Sequence, residues 1–227
     1  MCGGCIVTQP QNTPVPEIHM VEPATHTPYQ LYVPSYYTAN KSWPLVITCH
    51  GTFGFDSYNL QIREWKALAE EFGFIVAAPK LRSTQGVLPR VRPIWYNDLK
   101  RDELSILSIL RDVQLHYHIS TNVLLTGFSA GAYPMIWTGL HNPGKFKMLI
   151  ARSGTFDTCM LKKIPDTALA KNLPISIFYG NWDIAAIQSR RGAGVLHELG
   201  FNVSDWCTPG GHARRPEMTV VIWQSSN

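Results

Sequence analysis

The chain has 227 residues, 45% of them hydrophobic and 16% charged, with a net charge of +4. That length suits one large domain or two small ones, and that balance excludes a disordered chain. No apolar run reaches the roughly 20 residues that span a bilayer, so a transmembrane segment is not expected, and so mild a charge calls for a nucleic-acid partner only where cations cluster.

Residues 1–27 read as a flexible tail or linker, rich in Pro, Thr and Gln and poor in apolar periodicity. The opening "CGGC" resembles the end of a bacterial lipoprotein signal, in which Cys5 would carry the lipid, although the apolar stretch such a signal needs is missing. Cys2 and Cys5 have no second CxxC to complete a zinc ribbon; Cys49 sits in an apolar strand pattern, and Cys159 and Cys207 could pair. No composition shift divides residues 28–227, which are expected to form one domain.

Strand and helix periods then alternate. "YQLYV" (29–33) reads as an edge strand and "PLVITCHG" (44–51) as a strand buried on both faces. Residues 58–73 place Leu60, Trp65, Leu68, Ala69 and Phe72 at helical spacing and stop at Gly73. "FIVAAP" (74–79) is another buried strand, followed by a cation-rich loop from Lys80 to about Tyr96. A long helix, capped by Asn97 or Asp98, carries Leu104, Leu107, Leu110, Val113 and Tyr117 on one face. Residues 122–128, 147–154, 173–180 and 201–209 complete the strands, with helices after Ser129, over 184–199 and from Pro216. Repeated βα units of this kind predict an α/β fold, a mostly parallel sheet covered by helices on both faces, with functional groups at the carboxyl ends of its strands.

One strand end stands out. "LLTGFSAGAYPM" (124–135) runs a buried strand into Gly-x-Ser-x-Gly and then a helix, the context of a nucleophile elbow. Ser129 would be held strained and exposed there, and a serine hydroxyl becomes nucleophilic only when a base takes its proton. In the enzyme superfamily built on this elbow, the partners follow in the order serine, Asp or Glu, then histidine. His141 and His197 fall in helix patterns, whereas His212 lies in a loop beyond a strand, beside Gly210 and Gly211, and is the expected base. Asp183, directly after the strand "PISIFYG", is the expected acid; Asp157, also just beyond a strand, competes with it. Two N–H groups should receive the oxyanion: Ala130 after the nucleophile, and Thr52 in "CHGTFGF" (49–55), with Phe53 as second choice. His50 is expected to fix that loop rather than react.

With these residues in place, the chain resembles an α/β-hydrolase, and more narrowly the esterase family of polyhydroxybutyrate depolymerases and feruloyl esterases. The likeness spans about residues 28 to 225 and rests on "HGTFG", residues 101–132, "YGNWD" and "GGHARRPEM". Ala132 departs from the glycine that relatives often carry. The resemblance implies carboxylic-ester hydrolysis through an acyl-enzyme, with no metal and no organic cofactor, and a small-molecule or polymeric ester as partner.

No long insertion separates Gly154 from the strand near Leu173, so an open site without a large lid is expected, lined by Phe53, Trp95 and Trp182. Lys80, Arg82, Arg90, Arg92, Arg214 and Arg215 cluster on that edge and would favour anionic substrates if they face the site. No recognition motif accompanies the charge, so a nucleic-acid partner is not expected. A thioesterase, a serine peptidase of the same fold and a non-catalytic binding protein are the rival readings; the peptidases usually carry a propeller or cap, for which this chain is short.

Overall fold

The structure, a computed structural model, describes residues 17–85 and 92–225. Eight strands form one sheet: β1 (Ile18–Val21), β2 (Pro28–Tyr32), β3 (Trp43–Cys49), β4 (Ile75–Pro79), β5 (Ile119–Phe128), β6 (Met148–Arg152), β7 (Ile175–Gly180) and β8 (Val203–Thr208). Their spatial order is β1-β2-β4-β3-β5-β6-β7-β8, with β1 and β2 antiparallel and the remainder parallel. This is the α/β-hydrolase architecture, with no large cap among the described residues. The sheet begins earlier than residue 28: β1 pairs with β2 from Ile18 opposite Leu31 to Val21 opposite Pro28. β1 is mostly exposed, so it carries little of the apolar signal by which strands are read from sequence. Cys2 and Cys5 lie outside the described residues.

The central strands read as unbroken apolar runs because both faces are covered. Leu45, Ile47 and Cys49 of β3 join one core cluster and Val46 the other, as the two-residue period requires. Helices α2 (Arg92–His116), α3 (Ala132–His141) and α6 (Ala186–Glu198) supply the first cluster; α1 (Tyr58–Phe72) and α7 (Pro216–Gln224) supply the second. Short helices α4 (Thr158–Leu161) and α5 (Ala168–Asn172) lie between β6 and β7.

Local sequence sets the helix ends. Ser57 caps α1 by accepting from Leu60 N at 3.3 Å, and Gly73 closes it with φ 74°. Two expected stripes are rotated. α1 buries Gln61, Ile62, Trp65 and Ala69, leaving Leu60 and Phe72 partly exposed. α2 buries Leu99, Ile106, Ile109, Leu110 and Val113, while Leu104 is exposed. α2 also begins at Arg92, ahead of the expected Asn97 or Asp98 cap.

The order reverses at β3. The chain goes from β3 to β4 on one side, then crosses to β5 on the other, so the loops leaving β3 and β5 diverge beside each other. Cys49 sits opposite Gly127 in the register, which sets the loop from His50 against the turn at Ser129. A crevice at such a switch point is where ligands of open α/β sheets bind.

Candidate active site

At the end of β5 the backbone turns through a 3-10 turn, Ser129–Gly131, into α3. Ser129 has φ +52°, a left-handed conformation that costs a non-glycine residue on the order of 1–3 kcal/mol. The surroundings hold it there. A Cβ at Gly127 would lie 2.3 Å from Gly131 O, and one at Gly131 would lie 2.4 Å from Cys49 O. Only glycine at both positions lets the turn pack this close to itself and to β3.

Asp183 follows β7, and His212 lies in the loop after β8. That loop runs back over the strand ends. Gly180 has no Cβ to block it, since one would lie 2.1 Å from Gly210 O. Trp182 N–H donates to Gly210 O at 3.0 Å, and Gly210 N–H donates to Asn181 Oδ1 at 2.9 Å. So laced, the two loops place His212 Nδ1 at 2.7 Å from Asp183 Oδ1. A carboxylate can only accept, so Nδ1 carries the proton and Nε2 keeps its lone pair. The imidazole ring packs on Phe128, 4.8 Å between centroids, directly before Ser129 in the chain. Among the described residues no hydrogen bond joins Ser129 Oγ to His212; such contacts often tighten only when substrate binds.

The Asp183 side chain is fully buried beside His212. Burial pushes its carboxyl up, but Ser153, the Ala185 N–H and His212 together outweigh this and hold it below the ordinary range. Ala185 N donates to Oδ1 at 2.7 Å. Ser153 Oγ donates to Ala213 O at 3.4 Å, and the buried Asp183 Oδ2 has no hydrogen-bond partner among the described residues. The rival acid is elsewhere: Asp157 caps α4, accepting from Met160 N at 2.8 Å. Asp183→Asn is therefore expected to lower kcat by about 10⁴-fold, as loss of the orienting carboxylate does in a triad. Asp157→Asn should keep both kcat and most of its stability, since asparagine caps a helix about as well as aspartate, whereas Asp157→Ala should lose about 1 kcal/mol with kcat kept. Parallel kinetics and melting of the three variants check this, and the reverse pattern would assign the acid to Asp157.

The loop after β3 is fixed by His50, which is fully buried; burial pushes its imidazole down, so it stays neutral. Leu81 N–H donates to its Nε2 at 3.1 Å, which leaves Nδ1–H to donate to Gly51 O at 2.8 Å. In a trans peptide C=O and N–H point opposite ways, so this pins the Thr52 N–H away from His50. Phe53 N–H is already used, donating to Thr84 O at 3.0 Å, whereas Thr52 N–H has no acceptor among the described residues. Ala130, second in its 3-10 turn, has an N–H that the turn itself leaves unsatisfied.

The three aromatic candidates differ in exposure. Trp95 is half-buried and packs edge-on against Tyr133 of α3, 4.9 Å between centroids. Phe53 and Trp182 stand out in solvent, at 47% and 82% exposure. The expectation of a basic rim also changes. Arg214 pairs with Asp56 and Glu64, while Arg215 donates to Thr208 Oγ1 and Pro209 O, so both guanidiniums already have partners within the chain. Arg90 and the side chain of Arg92 lie outside the described residues. Cys159 and Cys207 are free thiols rather than a pair.

Sequence reading passed over Arg152. It is fully buried at the end of β6, and burial pushes its guanidinium down to about 10, so it stays charged at neutral pH. A buried ion carries a desolvation penalty of several kcal/mol. Here hydrogen bonds offset it, from Nε to Thr126 Oγ1, Nη1 to Arg214 O, and Nη2 to Thr48 Oγ1 and Gln61 Oε1. An arginine inside the apolar run "MLIARSG" was the available signal.

Comparison with known proteins places this geometry in a wider group. The chain is similar in structure to a thermostable esterase, at 20% identity and TM-score 0.55, covering 92% of this chain and 59% of that one. It is similar to a CE1 ferulic acid esterase from Anaeromyces mucronatus in complex with ferulic acid, at 15% identity and TM-score 0.69, covering 98% and 94%. It is also similar to an S-formylglutathione hydrolase from Staphylococcus aureus, at 15% identity and TM-score 0.63, covering 92% and 93%. These likenesses establish the α/β-hydrolase fold and meet the expected resemblance to feruloyl esterases at that level. No curated protein sequence matches the chain. Residues 60–178, more than half of the chain, match the Peptidase_S9 model, from within α1 through the turn at Ser129 into β7. The chain belongs to the prolyl oligopeptidase family of serine hydrolases.

Proposed function

We propose that the protein is a carboxylic-ester hydrolase acting through an acyl-enzyme, with Ser129 as nucleophile, His212 as base and Asp183 as the acid that orients it. The observation that carries this reading is the 2.7 Å contact between His212 Nδ1 and Asp183 Oδ1 beside a serine held at φ +52°. Ser129 Oγ attacks the carbonyl carbon while His212 Nε2 takes its proton, and Asp183 stabilises the imidazolium that results. The N–H groups of Thr52 and Ala130 receive the negative oxygen. Collapse expels the alcohol, which takes its proton from His212. Water then attacks the acyl-serine by the same route, releasing the acid and restoring Ser129.

Short-acyl, aromatic-acid and polyester substrates suit an entrance with only α4 and α5 between β6 and β7 and with Phe53 and Trp182 exposed. The ferulic acid esterase and the S-formylglutathione hydrolase cover the chain almost end to end, which favours ester or thioester over peptide. Peptide hydrolysis is the second reading, favoured by the family match. Hydrolysis of p-nitrophenyl esters of increasing acyl length should be measured beside a thioester panel and prolyl p-nitroanilides. Ester kcat/KM is expected to exceed that of the anilides by more than about 100-fold, a gap of about 2.7 kcal/mol in transition-state binding. Faster anilide cleavage would replace the esterase reading with a peptidase; thioesters ahead of oxygen esters would make it a thioesterase.

A further inference from the structure

The elements of the candidate site leave four different strands, and the sheet alone does not set the distance between the oxyanion loop and the histidine loop. One buried network does. Asp56, 3% exposed, accepts from Gly51 N at 2.7 Å, Ser57 N at 2.8 Å and Gln61 Nε2 at 2.8 Å. Its remaining partner is Arg214 Nε at 3.3 Å, from a residue 158 positions away and two beyond His212. Glu64 Oε1 holds Arg214 Nη1 at 2.9 Å, and Arg152 Nη1 donates to the Arg214 carbonyl at 3.2 Å from below. The guanidinium also lies over the Phe128 ring, which the His212 imidazole touches as well. Arg214 is thus held by backbone and side chain from three elements, and Asp56 holds the N–H preceding the peptide of the oxyanion donor.

We propose that Asp56 and Arg214 form a positioning clamp that fixes the oxyanion loop against the histidine loop, so that the donors and the base meet one substrate carbonyl together. The clamp touches no reacting atom, and the proposal rests on the reading of Ser129, His212 and Thr52 given above. Loosening it misplaces the base relative to the oxyanion donors, and a misplacement of about 1 Å can cost about 100-fold in rate.

Arg214→Gln and Asp56→Asn are each expected to lower kcat on p-nitrophenyl acetate by about 10- to 100-fold with KM within about threefold. The double variant should be no slower than the slower single one, because both remove the same link. Guanidinium at millimolar concentration added to Arg214→Gly should restore part of kcat without moving the urea midpoint, whereas a purely structural role would raise the midpoint with the rate. Urea midpoints are recorded alongside; where Arg214→Gln does not fold, Arg214→Lys, keeping one of the two ion pairs, should fold with intermediate kcat. A wild-type kcat in either folded arginine variant, or single losses that multiply in the double, would overturn the clamp. Ser129→Ala in the same assay separates the two failures. An active Ser129→Ala removes the underlying reading, whereas an inactive Ser129→Ala beside a fully active Arg214→Gln removes only the clamp.

Discussion

Ser129→Ala should lower kcat on p-nitrophenyl esters by about 10⁶-fold, and His212→Ala by a similar amount, with the double variant no worse than either. The non-additivity follows from the roles. The hydroxyl without its base is a weak nucleophile, and the base without a hydroxyl has nothing to deprotonate. On the proposed assignment, what should survive is the stabilisation from the Thr52 and Ala130 N–H groups, which do not depend on either side chain. The substitution leaves the fold intact, because alanine meets the same strain as serine at φ +52°. Ser129→Gly removes that strain and should be as inactive yet more stable, by up to about 1–3 kcal/mol. Initial rates and thermal melts of the four variants test this. A Ser129→Ala protein that retains more than a few per cent of kcat would place the nucleophile elsewhere.

Gly131→Ala should be among the most damaging single methyl additions at the described glycines. Its Cβ would lie 2.4 Å from Cys49 O and 2.7 Å from His50 O, both backbone atoms of β3 and the loop it feeds. Backbone there cannot yield without breaking the β3–β5 ladder, where Cys49 faces Gly127 and Ile47 faces Leu125. Destabilisation above about 4 kcal/mol is expected, in the range reserved for such collisions. Any molecules that still fold should be slow, since the strain pushes Ala130 N–H away from Thr52 N–H. Gly194→Ala, in the middle of α6 with nothing within 4 Å, is the control. It should be neutral or stabilising by up to about 1 kcal/mol, the helix-propensity difference between the two residues. Urea unfolding of both variants checks the contrast; equal midpoints would show that the elbow tolerates a displacement the close approach argues against.

Much of the molecule is legible without coordinates because its signals are local. Largely apolar runs mark β3, β4, β5, β6 and β7, closed by glycine except in β4, where Pro79 ends the run, since burial on both faces leaves few polar residues to interrupt them. Ser129 is announced by five consecutive letters, and His212 by its place in a glycine-loosened loop after a strand. Where the local signal is weak, expectation and structure part. β1 is mostly exposed, and Leu104 faces solvent because a 25-residue helix offers more than one apolar stripe.

The long-range relations belong to the tertiary structure alone. From sequence, Asp157 and Asp183 both follow strands; in the fold Asp157 turns back to cap its own short helix, and Asp183 meets His212 across two loops. Thr52 and Phe53 are adjacent, and only the bond from Phe53 N–H to Thr84 O distinguishes them as donors. Arg214 reads as one more cation on a basic edge until Asp56, Glu64 and the Arg152 below it are seen to hold it. The order of residues determines which chemistry the chain carries and at which strand ends. Which of those groups face one another is decided by sheet order and loop path, since partners such as Asp56 and Arg214 are brought together by the packing of the strands between them.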